Sequence, residues 1–280
     1  MSRQSELAQL GRVFDNSALS NRNLIINGGL SVWQRGVSFS NAWNYGADRW
    51  VHPVAQTKGQ SASEGTYSTF TGQGSANGAY AFTSVELPTV GNNFPFTVGK
   101  TFTLSFRVNS TSRVKPYFDF RNGVVGASNG FTTDTIDYKG GSGSWETVSW
   151  TITVTATCGG SDNCLSISFA HEDASASVSM TQVQLEVGDT ATPFEHRSYG
   201  QELALAQRFF EIIDSNLYFS PQQYVDIHYC VRKRAIPSVS LTSTYASDCT
   251  VSDSGPAGFI VVPNYAHSYF AIRWTADAEL

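Results

Sequence analysis

Residues 182–207 read Gln-Val-Gln-Leu-Glu-Val-Gly-Asp-Thr-Ala-Thr-Pro-Phe-Glu-His-Arg-Ser-Tyr-Gly-Gln-Glu-Leu-Ala-Leu-Ala-Gln. In this stretch Val183, Leu185 and Val187 alternate with polar residues, as expected for a strand with one buried face. Gly-Asp and Thr-Pro pairs predict a turn after the strand, and an apolar helical segment begins beyond them. The stretch therefore predicts the last strand of a β-domain, followed by a helix.

From Asn23 to Val187 the sequence predicts a series of strands. Glycine- and asparagine-rich turns separate them at intervals too short for helices. The predicted strands are 24–33, 49–54, 79–87, 101–109, 113–121, 146–155, 165–170 and 177–187. Within them, Thr101–Val108 and Thr147–Val154 alternate apolar with hydroxyl-bearing residues, as in a sheet that is packed on one face. This number of short strands predicts an all-β, jelly-roll sandwich.

A connecting helix is predicted from Ser198 to Ile213. Ser198 can cap its start, and Glu202 lies in the first turn, where a negative charge is favourable. Apolar residues recur at helical spacing: Leu203, Ala206, Phe209, Phe210 and Ile213. Further strands are predicted at 215–220, 224–234, 238–244, 247–252, 257–262 and 267–274. The C-terminal part therefore reads as a small β-rich unit that the helix helps to cover.

The first residues form a separate short helix candidate. Leu7, Leu10 and Phe14 follow the spacing of a narrow coiled-coil stripe. A helix of this length is not stable alone in water. The stripe therefore predicts an oligomerisation or docking contact. The alternative is a helix that lies on its own β-domain. The predicted division of the chain is 1–22, 23–197 and 198–280.

Composition narrows the functional classes. Charged residues make up 15% of the 280 residues, against about 25% in typical globular proteins. Aromatic residues reach 13%, which argues against disorder. The net charge is −5 and Arg232–Arg234 is the longest basic run, so no nucleic-acid partner is expected. There is no long apolar run, so we expect no membrane insertion. The first residues lack the apolar core of a secretory signal, so we expect synthesis in a cytoplasm.

Four cysteines are present: Cys158, Cys164, Cys230 and Cys249. A cytoplasmic protein keeps its thiols reduced, and the spacing lacks the Cys-x₂-Cys pairs of a zinc site. We expect small apolar fillers rather than disulfides or metal ligands.

Catalytic signals are weak throughout. Gly126–Gly130 matches the nucleophile elbow Gly-x-Ser-x-Gly, but that motif needs a helix directly behind it, and loop and strand follow here. Nothing in the sequence brings a glycosidase-like acid pair together; the candidates are Asp134, Asp137, Glu172 and Asp173. The five histidines are scattered. The sequence predicts no enzyme, no catalytic residue and no metal site.

Sugar binding is the chemistry that the sequence could support. Aromatic faces cover the apolar sides of sugar rings, and amides bond to their hydroxyls. Trp43 and Tyr45 lie in one predicted loop with Asn41 and Asn44, and Trp145 follows a glycine-rich loop. These aromatics could instead cover the end of the sandwich or contact a neighbouring subunit. Other tryptophans lie within strand patterns and are predicted core residues: Trp33, Trp50 and Trp150.

Four landmarks carry a family resemblance. In chain order they are Asn23–Gly36 (Asn-Leu-Ile-Ile-Asn-Gly-Gly-Leu-Ser-Val-Trp-Gln-Arg-Gly), Ala47-Asp48-Arg49-Trp50, the stretch 182–207 above and the terminal Trp274–Leu280. Together they resemble bacteriophage tail-fibre and virion-surface proteins, in which a carbohydrate-binding-module-like jelly roll precedes a C-terminal domain. The resemblance implies a virion structural protein of the receptor-binding tail-fibre type that attaches to host surface glycans. The alternative is a head- or neck-attached fibre or decoration protein that binds no glycan.

The resemblance also implies partners and location. Such proteins contact other virion proteins and are commonly homotrimers, and their ligands include host cell-surface polysaccharide. The expected location is the virion, assembled in the host cytoplasm.

A structural calcium ion is a further feature of such jelly rolls. Its ligands come from the opening Asn-Gly segment and from an acid in the last strand, here Asn27 and Glu186. The positions of the expected opening acids hold Gly29, Leu30 and Ser31. Calcium prefers six to eight oxygens, several from carboxylates, so no cofactor is predicted.

Overall fold

The computed structural model describes residues 22–40, 43–72, 79–92, 94–123, 136–173, 175–219, 224–242, 249–263 and 270–279. The predicted N-terminal helix with its stripe, the Gly126–Gly130 motif, Asn41 and Asp134 lie outside these residues. None of the described helices is long and apolar enough to cross a bilayer.

Strands make up nearly all of the regular secondary structure in the described residues, which confirms the predicted all-β class. The first eleven strands are β1 Ser38–Phe39, β2 Asn44–Tyr45, β3 Val51–His52, β4 Ala55–Ser61, β5 Gly65–Thr71, β6 Ala79–Glu86, β7 Thr101–Asn109, β8 Val114–Arg121, β9 Glu146–Thr153, β10 Cys164–His171 and β11 Ser177–Val187. Helix α1 spans Tyr199–Gln207. The remaining strands are β12 Phe210–Phe219, β13 Val225–His228, β14 Ser238–Thr242, β15 Cys249–Ser252, β16 Gly258–Pro263 and β17 Phe270–Asp277.

Two antiparallel sheets form the sandwich. One has the order β1-β4-β5-β11-β7-β9 and the other β2-β3-β6-β10-β8. From β5 to β11 successive strands alternate between the two sheets, as in a jelly roll. Their apolar faces meet in one core, where the ring of Phe169 lies 5.6 Å from Trp50 and 5.4 Å from Phe106. Trp150 is also buried there, and Trp33 packs against the same core.

The predicted strand over 24–33 is wrong. Two residues of this segment adopt positive φ, and it follows β11 with isolated backbone bonds, from Leu24 N to Leu185 O and from Val183 N to Gly28 O. A Cβ at Gly28 would lie 2.1 Å from the Val183 oxygen. The segment therefore covers the edge of β11 without becoming a regular strand.

Strands β4 and β5 were not predicted, and the predicted strand 49–54 is reduced to β3. The two unpredicted strands are rich in Gly, Thr, Ser and Gln, so apolar alternation is weak in them. Gln56 and Ser68 are fully buried, and burial of such polar residues is invisible to a hydrophobic pattern.

Helix α1 ends six residues before the predicted boundary at Ile213. Its start is as predicted: Ser198 accepts from Gln201 N, and Gln201 reaches back to the Ser198 backbone in a capping box. Beyond Arg208 the chain enters β12, which pairs with β17 from Phe210 onward. Pairing with a strand distant in sequence overrode the local helical spacing.

The C-terminal strands form two three-stranded sheets, β12-β17-β14 and β13-β16-β15. Their shared core centres on three rings, Tyr229, Phe259 and Trp274, whose centroids lie 5.3–5.8 Å apart. The predicted strand 224–234 shrinks to β13. None of the four cysteines forms a disulfide; Cys164 and Cys249 are buried, whereas Cys230 is exposed and is not the apolar filler expected.

Asn27 joins the first two sequence landmarks. Its side chain is fully buried and its Nδ2 donates to the carbonyls of Val32 and Asp48, each at 2.9 Å. Its Oδ1 accepts from the backbone N–H groups of Ser31 and Val32. Its own N–H donates to Glu202 of α1 at 2.7 Å. The opening segment is thereby tied to both the second landmark and the helix.

Arg49 joins the second landmark to the end of the chain. Its guanidinium donates to Glu279 and to Ser84 Oγ, and it lies 3.7 Å from the centre of the Phe209 ring. Arg35 pairs with the same Glu279 at 3.3 Å. The landmark residues thus form the junction between sandwich, helix and terminal strand, and their role here is structural.

Candidate functional site

A groove runs across the outer face of the six-stranded sheet. It consists of a cavity of 390 Å³ over β7 and β9 and a cavity of 160 Å³ beside the start of β5. Gln182, Phe194 and His196 line both cavities, so the two adjoin each other. The larger cavity lies within the range of small-molecule sites, about 300–1,000 Å³.

The floor of the groove is built around Arg107. Arg107 and Ser105 lie on the face of β7 opposite to the buried Phe106. The guanidinium makes a two-pronged ion pair with Glu64, Nε to Oε2 at 2.9 Å and Nη2 to Oε1 at 2.7 Å. It also donates to the Thr147 hydroxyl at 3.3 Å. These bonds lower the pKa of the Glu64 carboxyl and keep it ionised.

A bulge in β11, the strand that lies between β5 and β7, opens the groove. The pairing of β11 with β7 shifts register between Thr181 and Gln184, and Gln182 has φ +54°. Strand β5 pairs with β11 only as far as Met180. The Gln182 side chain therefore faces the gap that the bulge creates.

The segment 192–197 forms the wall. It is fixed to β11 because Glu186 accepts from the Thr192 backbone N–H at 2.8 Å and Gln184 Oε1 accepts from the Glu195 N–H at 2.8 Å. On this wall the rings of Phe194 and His196 meet edge to face, 4.9 Å apart. Both bonds to β11 hold an aromatic pair at the rim of the groove.

This arrangement offers the chemistry of saccharide recognition. Phe194 presents an apolar ring, while Gln182, Thr147 and His196 present amide, hydroxyl and imidazole groups. An apolar surface with a few placed polar groups fixes the orientation of a small polar ligand.

Trp43, Asn44 and Tyr45, the predicted ligand residues of the 38–46 loop that the structure describes, lie on the other sheet. Trp43 is 54% exposed and its ring packs 5.2 Å from Phe82 of β6. Asn44 is exposed and accepts from the Tyr45 backbone. The Tyr45 ring lies under the Arg35 guanidinium, and burial raises the pKa of its hydroxyl.

Trp145 lies apart from these residues, on the six-stranded sheet. Its ring meets Tyr67 of β5 edge to face at 5.3 Å. Tyr67 in turn lies over Gly59 of β4, where an added Cβ would be 2.2 Å from the ring. The structure therefore does not assemble Trp43, Tyr45 and Trp145 into one site.

Of the four candidate acids, the structure describes Asp137, Glu172 and Asp173. Glu172 pairs with Arg113 at the surface, with N–O distances of 2.9 and 2.7 Å. Asp173 accepts from Ser175, and Asp137 is exposed. His171 is buried beside Tyr80, with its ring nitrogens against backbone carbonyls. Glu172, Asp173 and His171 therefore make local structural contacts.

The residues do not fit the calcium ion that the resemblance implies. The Asn27 amide oxygen already accepts two backbone N–H groups. Both Glu186 oxygens accept bonds from Thr192, and Oε1 also accepts from Gln184. The described part of the chain contains no cluster of three or more His, Cys, Asp or Glu side chains that could hold a metal.

Sequence reasoning missed the groove, although one signal marks it. Apolar residues in β11 fall at Val178 and Met180, and then at Val183 and Leu185. The three-residue step from Met180 to Val183 breaks the two-residue period and indicates a bulge. Glu64 and Arg107 carry no comparable signal, since they resemble ordinary surface charges.

No protein-family model matches the sequence, and no curated protein matches it. Similar solved structures include a putative sugar binding protein from Bacteroides thetaiotaomicron, with 11% identity and a TM-score of 0.39 over 59% of this chain and 100% of that one. The CBM22-1 xylan-binding domain of Paenibacillus barcinonensis Xyn10C is similar as well, with 13% identity and a TM-score of 0.35 over 55% of this chain and 95% of that one.

The enzymatically active domain of tailspike protein 4 from bacteriophage CBA120 is also similar, at 12% identity and a TM-score of 0.37 over 60% of this chain. The match spans 22% of that tailspike chain. The groove residues are therefore assigned from the geometry of this chain alone.

Proposed function

We propose that this chain is a non-catalytic saccharide-binding protein and that the groove holds the saccharide. The observation that carries the proposal is the groove itself. Its 390 Å³ cavity joins an aromatic wall at Phe194 to amide, hydroxyl and guanidinium groups. Groups of both kinds are needed to bind a sugar ring, which has apolar faces and a polar rim.

The biological setting we infer is a bacteriophage virion, with the protein acting as a receptor-binding tail fibre that attaches to host surface glycans. This part of the proposal rests on the four sequence landmarks. A homotrimer would add avidity, since three weak sites on one particle bind together more tightly than one.

Catalysis is not part of the proposal, because the acids at the groove are engaged as acceptors. The pKa of Glu64 is lowered by Arg107, whereas a general acid in a glycosidase needs a raised pKa. Glu202 accepts from the Asn27 N–H with one oxygen and from Arg197 with the other. We expect no release of reducing ends from host capsule or lipopolysaccharide.

The test is a glycan-array measurement on the full chain, Phe194→Ala and Trp43→Ala. The first substitution removes the aromatic wall, and the second removes an exposed aromatic on the opposite sheet. We expect binding by the wild type and Trp43→Ala, and a loss of about tenfold or more in Phe194→Ala. Thermal melts of both variants check folding. Binding that is lost in Trp43→Ala and kept in Phe194→Ala would refute the groove as the site.

A second candidate is a decoration or assembly protein that contacts other virion subunits and binds no glycan. One loop favours it: Val90, Phe94 and Val98 are 61%, 61% and 55% exposed. Clustered exposed apolar residues often mark protein contacts. If no array saccharide is bound, and Phe94→Asp prevents incorporation into particles, this second function is supported instead.

A further inference from the structure

We propose that the groove selects an uncharged saccharide and rejects acidic ones, such as those carrying sialic or uronic acid. This inference rests on the proposed function and specifies the ligand class of the same site. It follows from the charges that line the groove, because each lining guanidinium is already matched by a carboxylate of the protein.

Arg107 is matched by Glu64. Two parallel N–H···O bonds to Glu64 occupy the Nε–Nη2 edge of the guanidinium, and Nη1 donates to the Thr147 hydroxyl. Glu146 lies near enough to act on Arg107 as well, and both carboxylates raise the pKa of the guanidinium. An acidic sugar over the floor would meet two negative charges for one positive charge.

Arg197 is matched on the other side of the groove. It pairs with Glu202 at 3.2 Å and with Glu195 at 3.5 Å, and it donates to the backbone carbonyls of Asn23 and Ile25. These contacts direct its donors toward the protein. Two carboxylates again face one guanidinium.

The remaining polar lining is suited to hydroxyl groups. Gln182, Thr147 and Ser105 offer neutral donors and acceptors. Among the described residues that line the two cavities, His196 is the one basic side chain apart from the matched arginines, and it carries charge only when protonated. Neutral hydroxyls gain bonds here without repulsion, whereas a ligand carboxylate finds no permanent unmatched cation among these groups.

Glu64→Gln tests the inference as a gain of function. The substitution removes one negative charge and leaves Arg107 available to a ligand carboxylate. The matched control is Glu172→Gln, which removes a carboxylate from the equally bidentate pair with Arg113, away from the groove. The double variant Glu64→Gln/Arg107→Gln tests whether the gain needs the guanidinium.

The measurement uses an array that pairs neutral oligosaccharides with counterparts bearing one sialic or uronic acid. We expect the wild type to bind neutral members only. Glu64→Gln should gain about tenfold or more toward the acidic counterparts of the bound members, as expected for a charge-assisted pair. Glu172→Gln and the double variant should show no such gain.

Three results would overturn the inference. The first is wild-type binding of acidic members as tight as that of neutral ones. The second is an equal gain in Glu64→Gln and Glu172→Gln, which would indicate overall charge rather than the Arg107 pair. The third is a folded Glu64→Gln, verified by its thermal melt, that binds neutral but not acidic members. Absence of binding in every variant would instead remove the proposed function itself.

Discussion

Asn27→Ala tests the junction on which the sandwich and the helix depend. The substitution deletes four buried hydrogen bonds, to the carbonyls of Val32 and Asp48 and from the N–H groups of Ser31 and Val32. At about 1 kcal/mol each, their loss costs about 4 kcal/mol. Asn27 has φ +56°, and alanine in the left-handed region adds about 1 kcal/mol. The expected loss of about 5 kcal/mol is a large part of a typical stability of about 5–15 kcal/mol.

Asn27→Gly is the matched control. The glycine variant loses the same four bonds but has no left-handed strain. The strain in the alanine variant exceeds the extra backbone entropy cost of glycine by about 0.5 kcal/mol, so the glycine variant should be slightly more stable. Urea denaturation of the full chain, followed by tryptophan fluorescence, measures both variants. A loss below about 2 kcal/mol in Asn27→Ala would refute the hydrogen-bond reasoning. A glycine variant less stable than the alanine variant would refute the argument from strain.

Three further outcomes are expected. Arg49→Met removes the main guanidinium that pairs with the buried Glu279 and should lower the stability by about 3 kcal/mol. The double variant Arg49→Met/Glu279→Gln should recover part of this stability in a thermal melt. Fully additive effects of the two substitutions would contradict the pairing. Because the pKa of Glu64 is lowered by Arg107, the pair stabilises the fold above the ordinary carboxyl pKa of about 4.3, and this contribution disappears as pH falls through the lower folded value. The melting temperatures of wild type and Glu64→Gln should therefore converge at acid pH, and a gap that widens there would count against the pair. Leu10→Asp should convert the expected homotrimer into monomers in sedimentation, and a wild-type monomer at micromolar concentration would exclude the trimer.

The strands that could be predicted are those with one apolar and one hydroxyl-rich face. Strands β7 and β11 begin and end at the predicted residues, because apolar and polar residues alternate along each of them, with one break in β11 between Met180 and Val183. Strands β4 and β5 were not predicted, because polar residues such as Gln56 and Ser68 fill their buried positions and leave no apolar alternation in the sequence. The helix was predicted too long because Phe209 and Phe210 suit helical spacing, whereas β17 supplies the hydrogen bonds that make Phe210 the start of a strand.

The candidate site was less predictable than the fold. Aromatics beside turns suggested Trp43, Tyr45 and Trp145, but a loop position in the sequence does not say which sheet a residue reaches. The groove joins side chains that are far apart along the chain, such as Glu64 and Arg107 or Gln182 and Thr147. Their meeting depends on which strands are neighbours, and that order is not written in any local pattern.

Four features follow from local patterns in the sequence: the all-β class, the bounds of β7 and β11, the cap at Ser198 and the break in period within β11. These features follow from local burial and local hydrogen bonding, which leave a period or a residue type in the sequence. The junction of Asn27, Arg49 and Glu279 and the pairing of Glu64 with Arg107 on the groove floor depend on the packing of distant segments. Those contacts join residues separated by tens to hundreds of positions, and their partners are fixed by strand order and by the bulge at Gln182.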